Sequence, residues 1–147
     1  MKLPLLSDLL TYENEQVVLY YCQQHPTVSY EQGRQLLSDL LAWMWVNLHR
    51  QSNKRRTYLF GPLLTLDALW HCFILHTQDY VSFCEYYFEG YFHHHIEPRG
   101  YEHQLTAEEL TDFLNDCFDY LGKDWVMRCF PSEDLEDFSS EISVSHS

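Results

Sequence analysis

The sequence predicts an all-α fold, a single compact domain of about five helices with an irregular histidine-containing loop and a disordered acidic tail. Three observations predict it. Apolar residues recur at the i, i+3, i+4 spacing of an amphipathic helix along most of the chain. Serine and threonine capping signals open these stretches, and glycine or proline closes them. Aromatic content is 16%, from 11 Tyr, 9 Phe and 4 Trp against only 5 Gly, which supplies rings for a filled core rather than the composition of a disordered chain.

Taken in order, the first helix is expected within Ser7 to Gln24, with Val17, Val18 and Tyr21 on one side. It must stop near His25, because Pro26 disfavours a helical residue before it. Ser29 and Gln32 form a capping box for the next helix, where Leu36, Leu37, Leu40, Leu41, Met44 and Leu48 stand at helical spacing. Trp43 and Trp45 widen that apolar arc, so this helix is expected to be central. Residues 50–62 are expected to form a loop holding Arg50, Lys54, Arg55 and Arg56, four of the nine basic residues. A solvated loop offsetting an acidic surface explains that run better than a site for a phosphate or an acidic partner.

Thr65 is positioned to cap a helix whose Leu66, Leu69, Trp70, Phe73 and Ile74 form one stripe. Thr77 is positioned to cap another, carrying Tyr80, Val81, Phe83, Cys84, Tyr87 and Phe88, with Gly90 at its expected C-terminal stop. Thr106 and Glu109 make a second capping box ahead of Leu110, Phe113, Leu114, Cys117, Phe118 and Leu121. A short helical turn is expected over Asp124 to Phe130. The domain is expected to span residues 1–130. After Pro131 there are five acidic residues, no basic ones and many serines, so residues 131–147 are expected to be a disordered tail.

Charge and cysteine usage narrow the class. A net charge of −13 repels phosphate backbones, so nucleic-acid binding is not expected. No window approaches the roughly 18 apolar residues of a membrane span. The opening run M-K-L-P-L-L-S-D-L-L is broken by Pro4 and Ser7-Asp8, so no signal peptide is expected. Five cysteines (Cys22, Cys72, Cys84, Cys117 and Cys129), an odd number without a C-x-x-C pair, argue for reduced thiols and a cytoplasmic location.

Residues 63–98 concentrate the chemistry, with five of the nine histidines, two of the five cysteines and two aspartates. No nucleophile elbow, phosphate loop or His-Glu-x-x-His pattern accompanies them. Asp67 and His71 are four residues apart on one expected helix, so they share a face at the border of the apolar stripe. The carboxylate can fix the imidazole tautomer and leave the other ring nitrogen for a metal or substrate. Taken alone, the two residues more simply satisfy each other beside the core. His93, His94 and His95 follow Gly90 in the loop after the neighbouring helix, and packing the two aromatic stripes together should bring that loop to within about 5 Å of His71. Two or three imidazoles with a carboxylate suit zinc first and non-haem iron second. His76 reads as a helix-end histidine, Cys84 as a buried thiol and Asp79 as a first-turn acid favoured by the helix dipole.

Asp67, Trp70, His71, Phe73, Ile74, Leu75, Thr77, Tyr80, Phe83, Cys84, Phe88, Gly90, Phe92, His94 and His95 together resemble the pattern of a little-characterised bacterial family related to the amino-terminal part of plant glycine-rich-domain-containing proteins. With the helix around Leu40 to Leu48, the resemblance covers roughly residues 30 to 98. Glu89 and the pair Ile96-Glu97 depart from the pattern, so which two of the three loop histidines correspond stays open. The resemblance implies a shared site of Asp, His and Cys among core aromatics and carries no reaction with it.

The leading expectation is a small metal-binding protein with His71, His94, His95 and Asp67 as ligands to zinc, or iron as second choice. If it is an enzyme, Asp67 and His71 are its catalytic candidates, acting with metal-activated water on an unknown small molecule. The residues do not decide whether it is one. The alternative is a non-catalytic interaction module whose acidic surface or tail recognises a basic protein partner.

Overall fold

The computed structural model describes residues 1–95 and 105–131. The expected tail beyond Pro131 and the end of the histidine loop, including Ile96, Glu97 and Pro98, lie outside the described residues. Among the described residues the chain is helical with no strand: α1 (Leu6–Leu9), α2 (Glu15–Gln24), α3 (Tyr30–Ser52), a 3-10 turn (Gly61–Leu63), α4 (Leu64–Leu75), α5 (Thr77–Phe88), α6 (Ala107–Leu121) and α7 (Lys123–Cys129). These elements fall into two compact units, Met1–Tyr91 with α1 to α5 and a second that begins at Phe92 and holds α6 and α7.

The all-α class is as expected, but the described residues hold seven helices rather than about five. The expected first helix is divided. Asn14 takes an extended backbone and its Oδ1 accepts a hydrogen bond from Val17 N at 3.1 Å, capping α2. An asparagine side chain competes with helical backbone bonding in a helix interior and is favoured at an N-cap, so a break there is the lower-energy solution. The short turn expected near the end of the chain is α7.

α3 starts with the anticipated capping box, Ser29 accepting from Gln32 N at 3.1 Å and Gln32 accepting from Ser29 N at 2.8 Å. It is central to its unit, touching α1, α2 and α4. The helix runs to Ser52, so Arg50 is helical rather than part of a solvated basic loop, and it is only 1% exposed. A buried guanidinium requires acceptors. The chain after α3 turns back accordingly, with Arg50 Nε donating to the Arg56 carbonyl and Arg55 N donating to the Arg50 carbonyl, both at 2.8 Å.

α4 and α5 start differently from the sequence expectation. Thr65 is not a cap, because the 3-10 turn with Pro62 at its start runs directly into α4 and sets the first helical dihedrals itself. Thr77 is the first residue of α5 rather than its cap, and His76 alone joins the two helices. At the end of α5 the left-handed residue is Glu89, with φ 52°, rather than Gly90. Gly90 has another use: a Cβ there would lie 2.8 Å from Met1 Cγ. The amino-terminal segment passes over this point, with Lys2 N donating to the Phe88 carbonyl at 2.8 Å and Trp45 Nε1 donating to the Pro4 carbonyl at 2.8 Å.

The core where α4 meets α5 is aromatic. Phe73 packs edge-on to Tyr80 at 4.9 Å and tilted against Phe83 at 5.1 Å, while Trp43 of α3 meets Trp70 edge-on at 5.2 Å. Tyr12, from the break between α1 and α2, closes this cluster at 4.7 Å from Phe83. Buried polar handles are satisfied within it: Trp70 Nε1 donates to Tyr80 Oη at 3.0 Å. In the second unit α6 carries the expected Thr106–Glu109 capping box and stops at Gly122, whose φ of +89° suits a residue without Cβ.

Candidate functional site

The site begins with α4. Leu66, Leu69, Trp70 and Phe73 are buried and hold the helix against its neighbours. That rotation leaves Asp67 and His71 at the border, with side chains 21% and 54% exposed. Their i, i+4 spacing brings His71 Nε2 to 3.4 Å from Asp67 Oδ1.

Two arrangements bear on this separation. A direct N–H···O bond to a carboxylate runs at about 2.7–2.9 Å. Two ligands on a tetrahedral zinc with bonds of roughly 2.0–2.1 Å stand about 3.3 Å apart, the edge of the tetrahedron. At 3.4 Å the pair is a loose contact between neighbours on one helix face, longer than a tight hydrogen bond and compatible with either arrangement.

The third member is His94. Asp67, His71 and His94 each offer one ligand atom, and these atoms all lie within 4.8 Å of one another. His94 is half-buried, whereas His93 and His95 are exposed and stand outside the group.

The other residues singled out in the sequence hold the scaffold. His76 Nδ1 donates to the Cys72 carbonyl at 2.8 Å, and its ring meets Tyr20 edge-on at 5.4 Å, so it closes the end of α4. Cys84 is fully buried in α5. Burial pushes the Cys72 thiol up, which keeps it protonated and unreactive. Asp79 does more than favour a dipole, since its Oδ2 accepts from Asn14 Nδ2 at 3.0 Å and ties α5 to the start of α2. Asn14 Nδ2 also donates to Tyr12 Oη at 2.9 Å. Sequence reading passed over Tyr12 and Asn14; the signal was an asparagine three residues before the apolar Val17-Val18 pair.

No helix among the described residues is long and apolar enough to cross a membrane. No curated protein and no solved structure matches the chain. Residues 9–118 match the model of the UCP032817-like family, a span that takes in the last residue of α1, all of α2 to α5 and most of α6 together with Asp67, His71 and His94. On that match, which covers most of the sequence, the chain belongs to the UCP032817-like family.

Proposed function

We propose that this protein binds a divalent metal, zinc in preference to iron, through Asp67, His71 and His94. The observation that carries the reading is the grouping of one carboxylate and two imidazoles with ligand atoms within 4.8 Å of one another. Two nitrogen donors and one oxygen donor suit zinc, and the same set serves non-haem Fe(II). His95, the other expected ligand, is exposed and stands outside this group.

Three protein ligands leave a coordination position for water, which is the arrangement of catalytic rather than structural zinc. The bound metal would lower the pKa of that water to about 7 and supply a hydroxide for hydrolytic chemistry on a small molecule. Asp67 and His71 would hold and orient the ion, and the exposure of His71 leaves the position open to a substrate. Kinship with the plant glycine-rich-domain-containing proteins belongs to the same proposal and rests on the residue pattern from Asp67 to His95.

The test is elemental analysis of protein purified without a histidine-affinity step. One equivalent of zinc or iron per chain is expected, and it should be lost in Asp67→Asn, His71→Ala and His94→Ala while the helical circular dichroism persists. Metal-free protein that takes up no equivalent on reconstitution overturns the reading, and the interaction-module alternative then takes its place.

A further inference from the structure

We infer that a second site, a cleft of about 410 Å³ between the α1–α2 connection and the first half of α3, binds a small zwitterion of the α-amino-acid class with an apolar side chain. It is independent of the metal reading and shares no residue with it. The volume is in the range of small-molecule sites, which begin at about 300 Å³.

The lining of the cleft is of two kinds, apolar and charged. Leu10, Val18, Tyr30 and Leu37 line it; Leu10 and Tyr30, 37% and 40% exposed, present accessible apolar surface for a hydrocarbon side chain, while Val18 and Leu37 are almost fully buried. Three charged residues line it as well: Glu13, Glu31 and Arg34. Arg34 Nη2 is bound to Glu13, and among the described residues its guanidinium makes no other hydrogen bond or ion pair. Glu31 has no ionic or hydrogen-bonding partner among the described residues.

The lining therefore offers one free carboxylate and the unused edge of a five-donor guanidinium, three residues apart on one face of α3. A simple amine would pair Glu31 and leave the Arg34 edge unused. A simple carboxylate would take the Arg34 edge but add a third negative charge beside Glu13 and Glu31. An α-amino acid answers both, its ammonium to Glu31 and its carboxylate to Arg34, while its net charge of zero carries no penalty from a chain at −13.

Isothermal titration of the full chain with leucine, its decarboxylated analogue 3-methylbutylamine and its deaminated analogue 4-methylpentanoate tests the proposal. Leucine should bind at least about tenfold tighter than either analogue. Glu31→Gln should abolish its advantage over 4-methylpentanoate, and Arg34→Gln its advantage over the amine. Both positions are exposed, so both variants should keep the parent's circular dichroism. His71→Ala should bind leucine as the parent does, which separates this cleft from amino-acid chelation at the metal. The inference is overturned if leucine shows no binding up to about 10 mM. It is equally overturned if 3-methylbutylamine binds as tightly as leucine, if neither cleft variant changes the affinity, or if His71→Ala removes binding.

Discussion

Asn47 is the residue whose chemistry is least satisfied. It lies inside α3 at 1% exposure, and neither its amide nitrogen nor its oxygen has a hydrogen-bond partner among the described residues. An unpaired buried polar group costs roughly 1–3 kcal/mol, whereas leucine has the same branching and no such cost. Asn47→Leu should raise the unfolding free energy by about 1 kcal/mol in urea titration; a fall would mean that the amide has a role in this core. Tyr80 makes the opposite case, a polar group whose burial is supported. Burial pushes its phenol well above the ordinary value of 10.0, against the opposing effect of the bond donated by Trp70. Burial also raises Tyr12 and Tyr21. Because the folded-state values lie above the unfolded ones, the unfolded phenols ionise first. Stability from these groups is complete below about pH 10 and is lost as pH rises past it. Alkaline titration followed by phenolate absorbance should show a buried class appearing only with loss of ellipticity, and Tyr80→Phe should move that unfolding to higher pH. At this scale Asp67 and His71 were legible because a fixed i, i+4 offset on a helix is a distance. Asn14 and Asn47 were not, since a polar residue in a helical pattern does not show whether it breaks the helix or is buried within it.

Among the helices, the α2–α3 contact depends on one missing side chain. A Cβ at Gly33 would stand 2.8 Å from Val18 Cγ1 and 3.1 Å from Cys22 Sγ. Gly33→Ala would gain about 1 kcal/mol of helix propensity. Against that stands overpacking, which costs about 1–3 kcal/mol when the neighbour cannot yield. Val18 is β-branched and 1% exposed, so it has little room to rotate. The net expectation is destabilisation by about 1 kcal/mol in chemical denaturation, with Gly33→Ala recovering when combined with Val18→Ala. Helix identities were readable because the 3.6-residue stripe is a long-range average. Boundaries were readable at Ser29 and Thr106, where a reciprocal capping box marks the start, and at His25, where the following proline marks the end. α4 and α5 are started by a 3-10 turn and by a one-residue junction, and neither device has a capping side chain to read.

For the whole molecule, five thiols lie in helical positions without a disulfide. Four are buried, and Cys22 alone is partly accessible, its Sγ lying 3.6 Å from the Ser29 carbonyl. A native-state thiol titration should therefore show one fast-reacting group, removed by Cys22→Ser, with the remaining four released only by denaturant. More than one fast thiol would show that a buried helix face opens readily. The fold class was legible at this scale because composition, spacing and caps agreed with one another. The division at Tyr91 and Phe92 was not, since no proline-, glycine- or serine-rich linker marks it.

The first few residues, stitched to the end of α5 and to Trp45, bear on how the protein is handled. Lys2 bonds to the Phe88 carbonyl and Met1 covers Gly90, so any fusion partner added ahead of Met1 would emerge close to Gly90, only three residues before His93. A polyhistidine leader placed there would add six or more imidazoles near a residue close to the histidine loop in sequence, and metal held by the leader would be counted as metal at the proposed site. Affinity handles for this protein belong at the other end, and should be free of histidine.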